Sequence, residues 1–375
     1  MTKPSILYRI LKCYVDVAFR FFYHKIKIFN AGTVPINGPV IFAINHQNAF
    51  MDAIVIATAT KRNPWFLTRA SIFQSSTARF WLKQLQMLPV YRFRDGHANM
   101  KKNDEAIETC KQILLQNETL LIFPEGNHDR HWALRPLQKG IARIAFATES
   151  ATDFQSGLHI VPIGLQYENH LSSWSHLLIH FGTPIPILNY KSLYENNPAK
   201  ATLKLLDDLR LAMSNLIINI GQSEHHDLLK QAIQSRPHRE KDLILRLRGD
   251  QLYLNQIGDK LPPKLIPTQF KKKLIACFLL LPLFLIAFIP HLPLFYATKL
   301  LIKKTVKDDH WTSSIKFGGM IALAPIIYPI EVILLWLLTN SWYWIGAFII
   351  LIPLSALFSM HYRAAYNEKK LMVSR

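Results

Sequence analysis

Cysteine is scarce in this 375-residue chain: Cys13, Cys110 and Cys277 lie far apart, and none belongs to a CxxC pair. That argues against a disulfide framework or a cysteine-built metal site, and it fits a reducing compartment. Acidic residues are few as well, with 25 Asp and Glu against 44 Lys and Arg, for a formal charge of +19. Such an excess attracts nucleic acid or an anionic membrane face. No zinc-finger spacing or other nucleic-acid signature is present, and the basic residues lie beside apolar stretches. A lipid bilayer is therefore the expected partner, and nucleic acid is not. No Gly-x-Ser-x-Gly elbow occurs, which argues against a hydrolase. No internal repeat is found. No cleavable signal peptide is evident, because Arg9, Lys12, Asp16 and Arg20 interrupt the N-terminal apolar stretch.

Apolar residues are abundant. They make up half of the chain, and the mean hydropathy is +0.11, which is high for a soluble enzyme and low for a polytopic transporter. Part of the chain is thus expected in lipid. The composition changes sharply at Lys273. "GGMIALAPIIYPIEVILLWLL" and "SWYWIGAFIILIPLSALF" flank "TNS" and read as a transmembrane hairpin with aromatic anchors at Trp342, Tyr343 and Trp344. The preceding stretch is broken by Pro282, Pro290 and Pro293 and has basic flanks on both sides. The positive-inside rule disfavours one crossing there and suits a hairpin bent near Pro290-His291. Glu331 falls inside a span, where a charge is costly.

Upstream, residues 1–29 read as an amphipathic, membrane-associated helix, with its periodic stretch over 5–29. Residues 30–220 alternate strand and helix signals. "PVIFAI", "PWFLTR", "TLLIF", "HIVPIGLQY" and "LLIHFGTPI" suit strands; "FMDAIVIATAT", residues 104–116, "GIARIAFAT" and 201–220 suit helices. The fold class expected is α/β, a layered mixed sheet flanked by helices. Residues 221–272 are polar and read as surface helix and linker; the adjacent His225 and His226 lack the carboxylate arrangement of a recognisable metal site. Residues 273–375 form the membrane region.

Four blocks carry chemistry. "HQNAFMD" places His46 in the turn after a strand and Asp52 in an early turn of the next helix, where Asp52 can orient one ring nitrogen and leave the other as a base. Without an enzyme nucleophile, such a pair suits activation of a substrate hydroxyl. "MLPVYRFRDG" offers Arg92 and Arg94 to a phosphate. "LIFPEGNHDR" places Glu125 and Gly126 directly after a strand. In "IVPIGLQY", Pro162 interrupts a strand.

In this order the blocks resemble the glycerolipid acyltransferase superfamily, over roughly residues 30–190. The five residues between His46 and Asp52, "LPVYRFRD", "FPEGNHDR" and "LRPLQKGIARIAF" resemble its glycerol-3-phosphate/dihydroxyacetone-phosphate subgroup. Gln138 stands where the family usually has lysine, with Lys139 adjacent, and Asn127 replaces a small or hydroxyl residue. The resemblance implies acyl transfer from acyl-CoA or acyl-carrier protein to a glycerol phosphate or lysolipid hydroxyl. His46 would be the base and Asp52 its orienting partner. Arg92, with Arg130 second, would hold phosphate. Glu125 and Gly126 would position the glycerol, and Pro162 would shape the pocket. It implies no cofactor and no metal, because the thioester is already activated. The readings competing with glycerol-3-phosphate acylation are acylation of lysophosphatidate or another lysolipid, and an inactive lipid-binding scaffold. The expected location is a membrane, with the catalytic domain on the cytoplasmic face and a bacterial inner membrane favoured.

Overall fold

The computed structural model describes residues 4–90, 100–221, 223–236, 239–258, 270–305 and 311–373. In chain order the elements are α1 (Ile6–Phe22), β1 (Lys25–Phe29), β2 (Val40–Ile44), α2 (Ala49–Ala59), β3 (Trp65–Arg69), α3 (Ser76–Gln84), β4 (Met87–Val90), α4 (Met100–Leu115), β5 (Thr119–Ile122) and α5 (Gly140–Ser150). There follow β6 (His159–Tyr167), β7 (His176–Phe181), β8 (Ile185–Pro186), α6 (Lys191–Asn196), α7 (Pro198–Ser214), α8 (His226–Gln234), α9 (Leu243–Ile257), α10 (Phe270–Phe288), α11 (Leu292–Thr305), α12 (Thr312–Thr339) and α13 (Trp342–Val373).

The strands form one mixed sheet in the order β1-β7-β6-β2-β5-β3-β4, with β8 on β6. β2 is central, parallel to β5 on one side and β6 on the other. All five of its residues are buried, and they alternate between two cores. Val40, Phe42 and Ile44 face α1 and α2, whereas Ile41 and Ala43 face α4, α5 and α7. Burial on both faces explains why "VIFAI" is apolar throughout.

The helix expected over 5–29 stops at Phe22. Tyr23 is extended (φ −105, ψ 139), and "KIKIF" becomes β1, paired in parallel with β7. The apolar period of three and four persists past Phe22 only by coincidence with the period of two in the strand. Residues 221–258 are also less peripheral than their composition suggests. Ile233, Leu243, Ile244 and Leu247 of α8 and α9 close a third core with Trp132, Leu178 and Ile218. Around it, Arg239 binds Glu168 and Asp250, and Arg246 binds Glu168. Burial raises the Glu168 carboxyl, but the bond from His176 and the two arginines outweigh it and hold the group down to about 2. Its contribution to stability is therefore complete above the ordinary carboxylate range and is lost only as pH falls toward 2.

Gly164 of β6 lies directly against Leu216. A Cβ there would meet Leu216 Cβ at 2.5 Å and the Leu216 carbonyl oxygen at 2.6 Å. Because part of the obstacle is backbone, Gly164→Ala is expected to cost about 2–3 kcal/mol. Chemical denaturation of the full chain measures this, and a change under about 0.5 kcal/mol would contradict it.

The C-terminal helices form a bundle. Among the described residues, Thr312–Thr339 and Trp342–Arg363 are long and apolar enough to cross a membrane, as is Phe278–Thr305 by length and composition. The last of these is not a straight rod. Phe284 stacks on Tyr362 at 4.3 Å, while His291 bonds Ser355 at 3.0 Å, so α10 descends as α13 ascends. His291 also bonds Tyr328 at 2.9 Å, and Gly319 faces Leu301 and Thr298, so α11 runs antiparallel to α12. α12 and α13 are joined at Asn340 and Ser341 and pack antiparallel on each other. One straight helix cannot oppose both. The chain therefore reverses through the 3-10 turn Ile289–His291. Pro290 sits at the start of that turn and Pro293 in the first turn of α11, where a missing N–H breaks no helical bond.

Candidate active site

The C-terminal ends of β2 and β5 lie side by side, and the site is built from the two loops that leave them. The first loop enters α2 through Ala49, whose φ of 41 lies in the left-handed region. Asp52 falls in the first turn of α2, and its carboxylate is wholly buried. His46 Nδ1 lies 2.9 Å from Asp52 Oδ2. The same oxygen accepts from Gln47 N at 2.9 Å and Asn48 N at 2.8 Å, while Tyr167 Oη donates to Oδ1 at 2.7 Å. Four donors thus surround the carboxylate at a helix N-terminus. An ionised carboxylate only accepts, so Nδ1 carries the proton of this bond, and in the neutral imidazole Nε2 then holds the lone pair. Nε2 has no hydrogen-bond partner among the described residues, and the side chain keeps 14 % exposure.

The second loop holds the first in place. Glu125 is buried, with Oε1 accepting from His46 N at 2.8 Å. Its Oε2 accepts from Arg135 N at 3.2 Å and Arg135 Nε at 2.9 Å. Arg135 continues to the Asn127 carbonyl. Burial raises the Glu125 carboxyl, opposed by the His46 amide and by Arg135. Both oxygens are thus spent on protein donors, and Glu125 braces the histidine turn rather than facing solvent. Phe123 stacks on the imidazole at 3.8 Å, and Asp129 N donates to His46 O at 2.9 Å. On the other side, Asn45 exchanges two bonds with the Leu165 backbone, of 2.7 and 3.0 Å, extending the β2–β6 pairing by a side-chain amide.

The other residues singled out in the sequence are placed as follows. Gly126 follows Glu125 with φ 72, a conformation suited to glycine, and packs toward Gln138. Arg130 is exposed. Pro162 is buried inside β6, where its carbonyl accepts from Gly182 N at 2.8 Å and its ring faces Gly182. Arg92 and Arg94 lie outside the described residues. His226 Nε2 accepts from Trp132 N at 2.8 Å, a structural use of one of the paired histidines. Sequence reasoning missed Arg135, Tyr167 and Asn45. Tyr167 closes the "IVPIGLQY" block and Arg135 lies in "LRPLQKG", but nothing in spacing alone ties either to a carboxylate a strand away.

The site abuts the membrane bundle. His128 meets His46 edge-on at 5.5 Å and Trp311 at 5.4 Å, just before α12. Ser314 of α12 donates to Asn48 O at 3.4 Å. His46 therefore lies at the end of the α/β domain that carries the apolar helices.

Residues 25–166 match the family model of the Acyltransferase domain, a segment that starts at the first residue of β1 and ends one residue before Tyr167. No curated protein matches the chain. Among solved structures, a similar one is the 1-acyl-sn-glycerophosphate (LPA) acyltransferase PlsC from Thermotoga maritima. It is 15% identical, with 55% of this chain and 78% of that chain covered and a TM-score of 0.41.

Proposed function

We propose that this chain, which matches the Acyltransferase family model over residues 25–166, transfers a fatty acyl group from acyl-CoA or acyl-carrier protein to a hydroxyl of glycerol-3-phosphate. The observation that carries the reading is the His46–Asp52 pair, 2.9 Å apart, with no hydrogen-bond partner for Nε2 among the described residues. His46 Nε2 removes the acceptor hydroxyl proton as the oxygen attacks the thioester carbonyl. Asp52 fixes the tautomer and offsets the charge of the imidazolium that forms. The proton then passes to the departing thiolate, so the base is regenerated without an enzyme nucleophile.

Glu125 and Arg135 act as positioning residues that fix the His46 backbone. Gly126 keeps the turn after Glu125 open beside the acceptor, and Pro162 stiffens β6 behind it. Arg92 is the proposed phosphate ligand, with Arg130 as a second. Lys299, Lys303 and Lys304 stand on α11 toward its catalytic-domain end, and the positive-inside rule supports a cytoplasmic side for the domain.

The test is an acceptor panel. Purified full-length protein in lipid is given labelled acyl-CoA or acyl-carrier protein with glycerol-3-phosphate, dihydroxyacetone phosphate or lysophosphatidate. The expected result is preferential acylation of glycerol-3-phosphate. Preference for lysophosphatidate would replace the acceptor assignment, and no transfer to any acceptor would sink the reading.

A further inference from the structure

The outward face of α1 is apolar. Ile6, Ile10, Cys13 and Val17 recur at steps of four and three, which puts them on one stripe, and all four are exposed. The opposite side is already committed to the core through Tyr8, Val15, Phe19 and Phe22. A helix resting on a domain in water turns polar residues outward at such positions. Contacts with α12 place the stripe. Phe19 and Phe22 meet Phe317, and Tyr14 donates to the Ile321 carbonyl at 2.7 Å. Followed back toward its N-terminus, α1 therefore advances along α12, away from the α/β domain. Ile321 already belongs to the apolar run that crosses the bilayer.

α3 meets α1 at its N-terminal end. Ser5, the N-cap of α1, donates through Oγ to the carbonyl of Gln84, the last residue of α3, at 3.1 Å. Large apolar side chains flank this contact. Ile6, next to Ser5, is 68% exposed; Phe80 and Trp81, about one turn before Gln84, are 58% and 51% exposed. Single exposed apolar residues are ordinary, but several gathered around one contact mark an interaction surface.

The composition of α3 points to lipid. Ala78 and Leu82, on the side opposite Phe80, are half-buried and hold the helix to the domain. Arg79 and Lys83 are exposed beside Phe80, and the nine residues contain no acid. A helix lying in a membrane interface presents aromatic rings to the acyl boundary and cations to the phosphates. A symmetric contact with a second copy would instead set Arg79 and Lys83 against their own kind.

We propose that α3 is a further membrane-contacting element. Phe80 and Trp81 enter the leaflet facing the catalytic domain, with Arg79 and Lys83 at its phosphates. The bilayer then covers a surface that runs from α12 through the stripe of α1 to α3, and the domain rests on the membrane at the end of the sheet bearing β4. This assignment is independent of which hydroxyl the enzyme acylates.

Fluorescence of full-length protein in mixed phosphatidylcholine and phosphatidylglycerol vesicles tests it. Trp81→Phe is a mild change at an exposed position, and the emission it removes belongs to Trp81. Phosphatidylcholine brominated high on its acyl chains is expected to quench most of that difference, and iodide in the water little of it. A difference untouched by brominated lipid overturns the assignment. If iodide quenches it instead, Trp81 faces water. If neither quenches it, protein covers Trp81, and the oligomeric state in detergent tells a second copy from another segment of the same chain.

Discussion

His46→Ala is expected to lower acyl transfer by about 10²- to 10⁴-fold, the range that removal of a general base produces. The protein should still fold, because the imidazole makes one side-chain hydrogen bond, whereas the turn is held by backbone bonds to Asp52 and Glu125. Asp52→Asn should cost about as much, for a different reason. The asparagine oxygen can still accept from Gln47 N and Asn48 N, and its amide can face Tyr167 once that hydroxyl turns to accept. What disappears is the negative charge beside the imidazolium. The double variant should then be little slower than either single one, since groups that act as a unit lose their effect together. Rates of labelled acyl transfer, measured beside Tm, separate chemistry from folding. If His46→Ala keeps most of its activity, or if the two losses multiply, the pair is not the base and its partner.

Phe317→Ala is expected to destabilise the protein by about 3–5 kcal/mol, the usual cost of emptying a buried aromatic site. Phe317 belongs to a membrane helix, yet only 2% of it is exposed. It stacks on Phe19 at 4.5 Å and meets Phe22 edge-on at 5.2 Å, within the core that also contains Phe42, Ile44 and Met51. Set against a total stability of about 5–15 kcal/mol, the loss is severe. Denaturant unfolding in detergent, followed by near-ultraviolet signals of the catalytic domain, reads it directly. A loss below about 1 kcal/mol would mean that the helices tether the domain without sharing its core.

The sheet was legible where one period dominated. "VIFAI", "TLLI" and "HIVPIGLQY" are apolar runs bounded by polar turns, and they became β2, β5 and β6. β1 was hidden because "KIKIF" follows a helix whose apolar spacing happens to run through it. α3 and β4 were hidden because Phe80 and Trp81 are exposed and "MLPV" is short. Of the candidate site, the relation of His46 to Asp52 was readable, because both lie in one strand–turn–helix unit. Arg135 on Glu125 and Tyr167 on Asp52 were not, because they join residues brought together only by the sheet and by the long loop after β5. Glu125 illustrates the limit well. Its position after a strand marks it as a candidate, but only the structure reveals that its two oxygens accept from His46 N and from Arg135.

The reversal at Ile289–His291 sets how far α10 and α11 reach beside their neighbours. His291 bonds Tyr328 of α12 and Ser355 of α13, and α12 continues beyond that level to Thr339. Four helices therefore lie side by side between the reversal and the α/β domain, and α12 and α13 alone continue past it. A bilayer around these helices would meet an unequal cross-section on its two sides.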